Sequence, residues 1–248
     1  MILSKAHRFI FIKGVKVGGT SVEIALSTIC GADDIVTPIT PIDELIRLDL
    51  NAGAQNYCDN RAAELDYLEE LRRTAVSDLA KLVRPPLIYS NHMPLREVVR
   101  LYGPAALDYQ VLCVERHPYA KIFSLANHML SFEAYQTGGE MRCDRAELKK
   151  YLDRAVENRD VLVVKNIDRY RRPDGSISAR VMRCENLTAD FQQFISSLGI
   201  GYQPNLPHAK KGILANNLDP RDLLTNQQIG LINELFSEEF ETFHYEPL

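Results

Sequence analysis

Residues 8–21, Arg-Phe-Ile-Phe-Ile-Lys-Gly-Val-Lys-Val-Gly-Gly-Thr-Ser, constrain this chain more than any other stretch. Phe9 to Ile12 is a short run of aromatic and β-branched residues, the composition of a buried strand. Gly14, Gly18 and Gly19 follow it, and without Cβ atoms they let the backbone turn tightly and approach a ligand. Thr20 and Ser21 then open a run from Val22 to Ile29 whose apolar spacing suits a helix. Strand, glycine loop and helix in this order present N–H groups and the positive end of a helix dipole to a phosphate.

The spacing is close to that of a nucleotide-binding P-loop, with one residue out of place. From Gly14 the pattern G-x-x-x-x-G runs through Gly19, and Ser21 takes the hydroxyl position, but Thr20 replaces the lysine that should precede it. A lysine stands inside the loop instead, at Lys16. A kinase or ATPase keeps the standard lysine and adds a carboxylate for magnesium. The loop therefore predicts a phosphate-bearing donor handled in another way; taken alone, it reads equally as a glycine-rich turn with no ligand.

Length and composition set the frame for that reading. The 248 residues suffice for one large α/β domain with a proper core. A formal net charge of −4 argues against a general nucleic-acid binder, though not against a local basic site. Cys30, Cys58, Cys113, Cys143 and Cys184 are odd in number and contain no C-x-x-C pair, which predicts reduced structural thiols and no zinc site. No run reaches membrane-spanning length, and residues 1–7 are too short for a signal peptide. With Met1 as the native start, the expectation is a cytoplasmic protein.

Along the chain, residues 31–85 read as a helical insertion, with Leu65, Leu68, Leu71, Val76, Leu79 and Leu82 near one helical face. Residues 87–90 read as a second buried strand running into Asn91-His92-Met93-Pro94, before a helix to about Tyr102. Residues 109–115 read as a third strand, central and parallel, ending at Arg116-His117-Pro118 before a helix from 119 to about 132. A helix over 144–158, a short strand over 161–164, a strand over 177–184 and a helix over 188–198 follow. A loop carrying His208, Lys210 and Lys211 leads to a last helix, capped by Thr225 and reaching about Phe240. The alternation predicts an α/β fold, a central, mainly parallel sheet flanked by helices. Ligands bind such sheets at the carboxyl ends of strands, so the Lys16 loop, His92 and Arg116 are expected to converge.

The cluster after the third strand discriminates. Arg116 offers a fork that fits a phosphate, and Ser124 lies eight positions later, two turns into the following helix. Taken with the first loop, this resembles the sulfotransferases that use 3′-phosphoadenosine 5′-phosphosulfate (PAPS). Their first motif is typically P-K-T-G-G-T-S and their second R-H-P followed by a serine. Residues 15–21 match the first except at Val15 and Val17; Arg116, His117, Pro118 and Ser124 match the second. Met182 to Leu187, Asp190-Phe191 and Leu198-Gly-Ile200 look like the family's R-x-E-x-L, D-F and L-G-I segment, with Glu185 at its acidic position. Glu239-Phe240 and Phe243-His-Tyr245 resemble its D-F and F-G-Y close, although Glu239 and His244 depart from it. The likeness runs from about residue 8 to 245, is weakest across 31–85, and points to the carbohydrate (heparan-type) O-sulfotransferases.

The resemblance implies a single 248-residue domain with a P-loop-like sulfotransferase fold, and roles for particular residues. Lys16 matches the lysine that contacts the leaving group, and Gly18, Gly19, Thr20 and Ser21 would hold the 5′-phosphate. Arg116 and Ser124 would grip the 3′-phosphate, and Lys210 lies in a loop that closes over the nucleotide in relatives. His92, in an H-x-P context, is the candidate base, and an ordinary imidazole pKa near ~6.5 suits that task; its plainer reading is a histidine that caps a helix or fills a strand end. His117 reads as part of its turn and His128 as a helix-face residue. The implied co-substrate is PAPS, with adenosine 3′,5′-bisphosphate as product, a carbohydrate or other hydroxyl as acceptor, and no metal. The alternatives are a P-loop small-molecule kinase, or a non-catalytic nucleotide-binding protein on the same fold.

Overall fold

The structure, a computed structural model, describes residues 1–137, 145–207 and 219–248, with side chains described outside 133–144 and 208–218. It is an α/β protein with a five-stranded mixed sheet in the order β3-β1-β2-β4-β5, flanked by helices. The chain divides into two compact units. The first comprises Met1–Lys13, Gly18–Val114 and Arg169–Ala209; the second comprises Gly14–Val17, Glu115–Asp168 and Lys210–Leu248.

In the first unit, β1 (Ile2–Ser4) and β2 (Phe9–Ile12) form an antiparallel hairpin with Ile2 opposite Phe11. Beyond β1 lies β3 (Ile35–Val36), also antiparallel to it. On the other side β2 pairs in parallel with β4 (Gln110–Glu115), Phe9 opposite Gln110 and Ile12 opposite Cys113, so both strands end at the same edge of the sheet. Strand β5 (Arg180–Arg183) follows β4. All four residues of β2 are completely buried, as a strand covered on both faces requires. Burying each such side chain contributes about 1.5–3 kcal/mol of transfer free energy.

Helix α1 (Gly19–Ser27) buries Val22, Ile24, Ala25 and Leu26, nearly its whole circumference, and is an interior helix. The segment after it forms α2 (Pro41–Asp49) and α3 (Arg61–Arg73), with a core of Leu48, Tyr67, Leu71 and Leu79. The expected apolar face breaks here: Leu65 and Val76 are 50% and 66% exposed. Helix α3 ends at Thr74, and a 3-10 turn from Val76 restarts the chain in a different helical phase. Helix α4 (Leu95–Tyr102) and, after β5, α8 (Leu187–Ser197) complete the unit; Phe194 of α8 meets Phe9 edge-on at 5.5 Å.

The second unit is helical. Helix α5 (Pro118–Thr137) packs with α6 (Arg145–Glu157), and α6 with α9 (Asn226–Leu235). Thr225 opens α9 with a complete capping box to Gln228. The last helix of the sequence reading is two: α10 (Ser237–Phe243) starts afresh after Phe236, which is fully buried. Helix α7 (Ile167–Tyr170) joins the two units in sequence. His244, where the family pattern has glycine, takes the left-handed φ of 53° that glycine favours at a helix C-terminus. Residues 161–164 belong to a 3-10 turn rather than a strand.

Residues 87–90 are not a strand either. Both neighbours of β2 are accounted for, β1 and β4, so no place beside it remains. Leu87 and Ile88 are each 42% exposed, and the amides of Ile88 and Tyr89 both donate to the Tyr57 carbonyl. Among the described residues, no helix is long and apolar enough to cross a membrane.

Candidate functional site

In the first unit the turn at Gly18 and Gly19 is built against Lys13. This residue, the last before Gly14, is buried, and its Nζ pairs with Glu23 Oε2 at 2.8 Å. Gly18 stands in left-handed conformation, φ 82°, and no side chain caps the helix behind it. A Cβ on Gly18 would meet only ordinary contacts, so its requirement is conformational. A Cβ on Gly19 would lie 3.0 Å from Lys13 Cγ, so this glycine is needed for space. The two glycines thus serve different ends. Gly19, Thr20 and Ser21 form the first turn of α1, at the positive end of the helix dipole. That absence of Cβ atoms and of a side-chain cap fits the cradling of a phosphate.

Glu23 gathers the charges beneath that turn. Besides Lys13 it accepts from the Met1 amino group at 2.5 Å and from Thr37 Oγ1 at 3.2 Å, with Arg47 Nη2 at 3.9 Å. Burial alone would push its carboxyl up; Lys13, the Met1 amino group and Arg47 outweigh it and hold the group well below the usual carboxylate range. With its amide nitrogen turned toward the carboxylate, Asn91 donates to Glu23 at 3.3 and 3.1 Å and accepts from Lys13 Nζ at 3.2 Å.

His92 follows Asn91 directly and does not sit at the end of a strand, as the sequence suggested. Its Nδ1 lies 3.1 Å from the Lys13 carbonyl oxygen. A carbonyl can only accept, so Nδ1 carries the proton and Nε2 keeps the lone pair. Burial, reinforced by the positive charge of Lys13, lowers the imidazole pKa to about 4, so the ordinary value near 6.5 expected from the sequence does not hold and the ring is a weaker base. At neutral pH the ring is therefore uncharged. Arg169 Nη1 donates to the His92 carbonyl at 2.7 Å and anchors its main chain.

In the second unit Lys16 takes a left-handed φ of 63°, a conformation a lysine adopts only when its surroundings impose it. The residue before it is clamped: Asn166 Oδ1 accepts from Val15 N at 2.7 Å and Asn166 Nδ2 donates to Val15 O at 3.1 Å. Arg116 is half-buried directly after β4, and its N–H donates to Glu115 Oε2 at 3.2 Å. Ser124 is half-buried on α5. His117 packs among Tyr119, Phe240 and Tyr245, and its Nε2 lies 3.1 Å from the Glu246 carbonyl. His128 is exposed on α5.

The first unit thus brings Gly18, Gly19, Thr20 and Ser21 together with His92 through Lys13, and the second holds Lys16, Arg116 and Ser124. Glu185 is exposed in a 3-10 turn, while the neighbouring Asp190 accepts from the Arg183 N–H at 2.7 Å and fixes that turn. Lys210, with His208 and Lys211, lies outside the described residues. Sequence reasoning missed Lys13, Glu23, Asn91, Asn166 and Arg169. Only Lys13 left a signal, a charged residue continuing a buried apolar strand. Among the described residues no group of histidine, cysteine and carboxylate side chains could hold a metal ion. Compared with models of protein families, with curated proteins and with solved structures, the chain finds no match in any of the three.

Proposed function

We propose that the chain is a PAPS-dependent O-sulfotransferase on a P-loop-like sulfotransferase fold, acting on a hydroxyl of a carbohydrate. The observation that carries the reading is the state of His92: neutral, with Nδ1–H committed to the Lys13 carbonyl and the Nε2 lone pair left for an acceptor proton. That residue hangs from the same lysine that underlies the phosphate-type turn at Gly18 and Gly19.

In this reading PAPS, when bound, supplies an activated sulfuryl group. The acceptor oxygen forms a bond to sulfur as the bond from sulfur to the 5′-phosphate oxygen breaks, and the acceptor proton passes to His92 Nε2. The Lys16 ammonium offsets the charge that develops on the departing phosphate oxygen. Gly19, Thr20 and Ser21 donate N–H and hydroxyl hydrogens to the 5′-phosphate, and Arg116 and Ser124 hold the 3′-phosphate. The transferred group carries less charge than a γ-phosphate, so the scheme calls for no metal.

Calorimetric titration with adenosine 3′,5′-bisphosphate tests the reading first. Binding in the micromolar range, lost in Arg116→Ala, is the expected result; no heat at millimolar ligand sinks it. Transfer of labelled sulfate from PAPS to a panel of oligosaccharides and simple alcohols then identifies the acceptor. Binding without transfer to any of them would make the chain a nucleotide-binding protein instead.

A further inference from the structure

Within the second unit, one unbroken line of buried polar groups runs from the Arg116 segment to the Lys16 loop. Arg116 N donates to Glu115 Oε2 at 3.2 Å, and Lys121 Nζ donates to the same oxygen at 2.8 Å. Lys121 also donates to Glu239 Oε2 at 2.6 Å. The other oxygen of Glu239 accepts from the main-chain N–H groups of Asn166 and Ile167, at 2.5 and 3.1 Å. The Asn166 side chain then closes on Val15 by both main-chain groups, as a neighbouring strand would. Glu115, Lys121, Asn166 and Glu239 are all completely buried.

Packing alone does not call for such a line. Removing three charges from water is costly, and apolar side chains of similar volume fill a core at least as well. What a charged, fully hydrogen-bonded line supplies is direction: every partner is fixed in angle as well as distance. Its two ends are the main-chain segments that carry Arg116 and Lys16. The Lys16 end is strained, φ 63°, and its strain is held immediately next to the Asn166 clamp.

We infer that Asn166 and Glu239 are positioning residues that hold the Lys16 turn in register with the Arg116 segment. The meaning of that register rests on the proposed sulfotransferase reading, in which Lys16 and Arg116 address two phosphates of one donor. A donor gripped at both ends tolerates little error in the spacing of its two holders, since misplacement of about 1 Å can cost a hundredfold in rate. The glutamate in place of the family's aspartate at position 239 is long enough to span from Lys121 to the Asn166 and Ile167 amides.

Amide hydrogen exchange on the full, ligand-free chain tests the line without reference to activity. In Asn166→Ala, residues 14–17 should exchange faster while α1 and β2 keep wild-type protection. In Glu239→Gln, residues 14–17 and residues 115–117 should both exchange faster. Glu239→Asp keeps the charge and should give the same pattern at smaller amplitude, which covers the case in which the glutamine variant does not fold. Wild-type exchange at 14–17 in the Glu239 variants, or a uniform rise over the whole chain, overturns the inference. Titration with adenosine 3′,5′-bisphosphate supplies the second arm: Asn166→Ala should bind roughly tenfold more weakly at a temperature where the variant is fully folded. Equal affinity for variant and wild type removes the positioning role. Failure of the wild type to bind overturns the sulfotransferase reading alone and leaves the exchange pattern to decide the line.

Discussion

His92 donates its Nδ1 proton to the main-chain carbonyl of Lys13 across 3.1 Å. The bond fixes the tautomer and ties the proposed base to the residue from which the glycine loop departs. It also fixes the pH behaviour, because burial and the Lys13 charge lower the ring's pKa to about 4. A base of this kind is lost only when protonated, so turnover should stay level from pH 8 to about 5 and fall through about pH 4. His92→Gln should lower kcat by roughly 10²–10⁴-fold and leave bisphosphate binding intact. A wild-type profile falling with a midpoint at the ordinary 6.5 would show that this ring is not the group that titrates.

Glu23 should dominate the stability of the first unit. It is completely buried and faces the Lys13 and Arg47 cations, so Glu23→Gln takes their shared carboxylate away. The expected loss is about 3–5 kcal/mol in urea unfolding at pH 7. The acid limb carries three groups. The Met1 amino group, lowered from 8.0 to about 5 chiefly by burial, has its share complete above pH 8 and declining toward pH 5. His92, lowered from 6.5 to about 4, takes its proton in the unfolded chain first, so its stabilising share is complete above pH 6.5 and declines as pH falls toward 4. Glu23 has its folded-state pKa held below the ordinary 4.5, so its share is complete above pH 4.5 and is lost at still lower pH. His92→Gln should remove the His92 share of the decline between pH 6.5 and 4 and leave the Met1 and Glu23 shares.

The parts of this molecule that depend on local chemistry were legible in the sequence, and the parts that depend on distant pairing were not. The apolar run at Phe9 to Ile12, the glycines after it and the Thr225 cap each announce their own structure, and β2, the α1 turn and α9 stand where they were expected. Strand β1 has three residues, too few for a periodic signal, yet it pairs with β2, whereas the run at 87–90 joins no strand. The same limit applies to the site. His92 was readable from its H-x-P context, but its hold on Lys13 spans 79 residues and that of Asn166 on Val15 spans 151. No pattern in a single chain encodes such pairings.

The two loop glycines should respond differently to alanine. Gly18→Ala forces a side chain into φ 82°, at a cost of roughly 1–2 kcal/mol. Gly19→Ala places its methyl 3.0 Å from Lys13 Cγ, and a shift of that side chain to relieve the contact pulls on the Nζ–Glu23 pair. Overpacking of this kind costs about 1–3 kcal/mol. Both variants should also weaken bisphosphate binding. Thr225→Ala is the matched control: it removes the capping box of α9 at about 1 kcal/mol and should leave affinity unchanged. Equal affinity across all three variants would mean that the glycines serve the fold alone.

Arg169 acts on the same histidine from the opposite side. Its Nη1 donates to the His92 carbonyl at 2.7 Å, so the ring is fixed through Nδ1 and its main chain through oxygen. Losing the second anchor lets the ring drift while its protonation and the glycine loop stay as they are. Arg169→Ala should therefore lower kcat by roughly tenfold to a hundredfold with little change in KM or in bisphosphate affinity. Arg169→Lys retains a donor on a flexible stem without the planar fork and should recover only part of the loss. The pH profile of the alanine variant should keep its fall near 4, since burial and Lys13 still act on the ring. An upward move of that midpoint toward 6.5 would mean that Arg169 excludes water from His92 rather than orienting it.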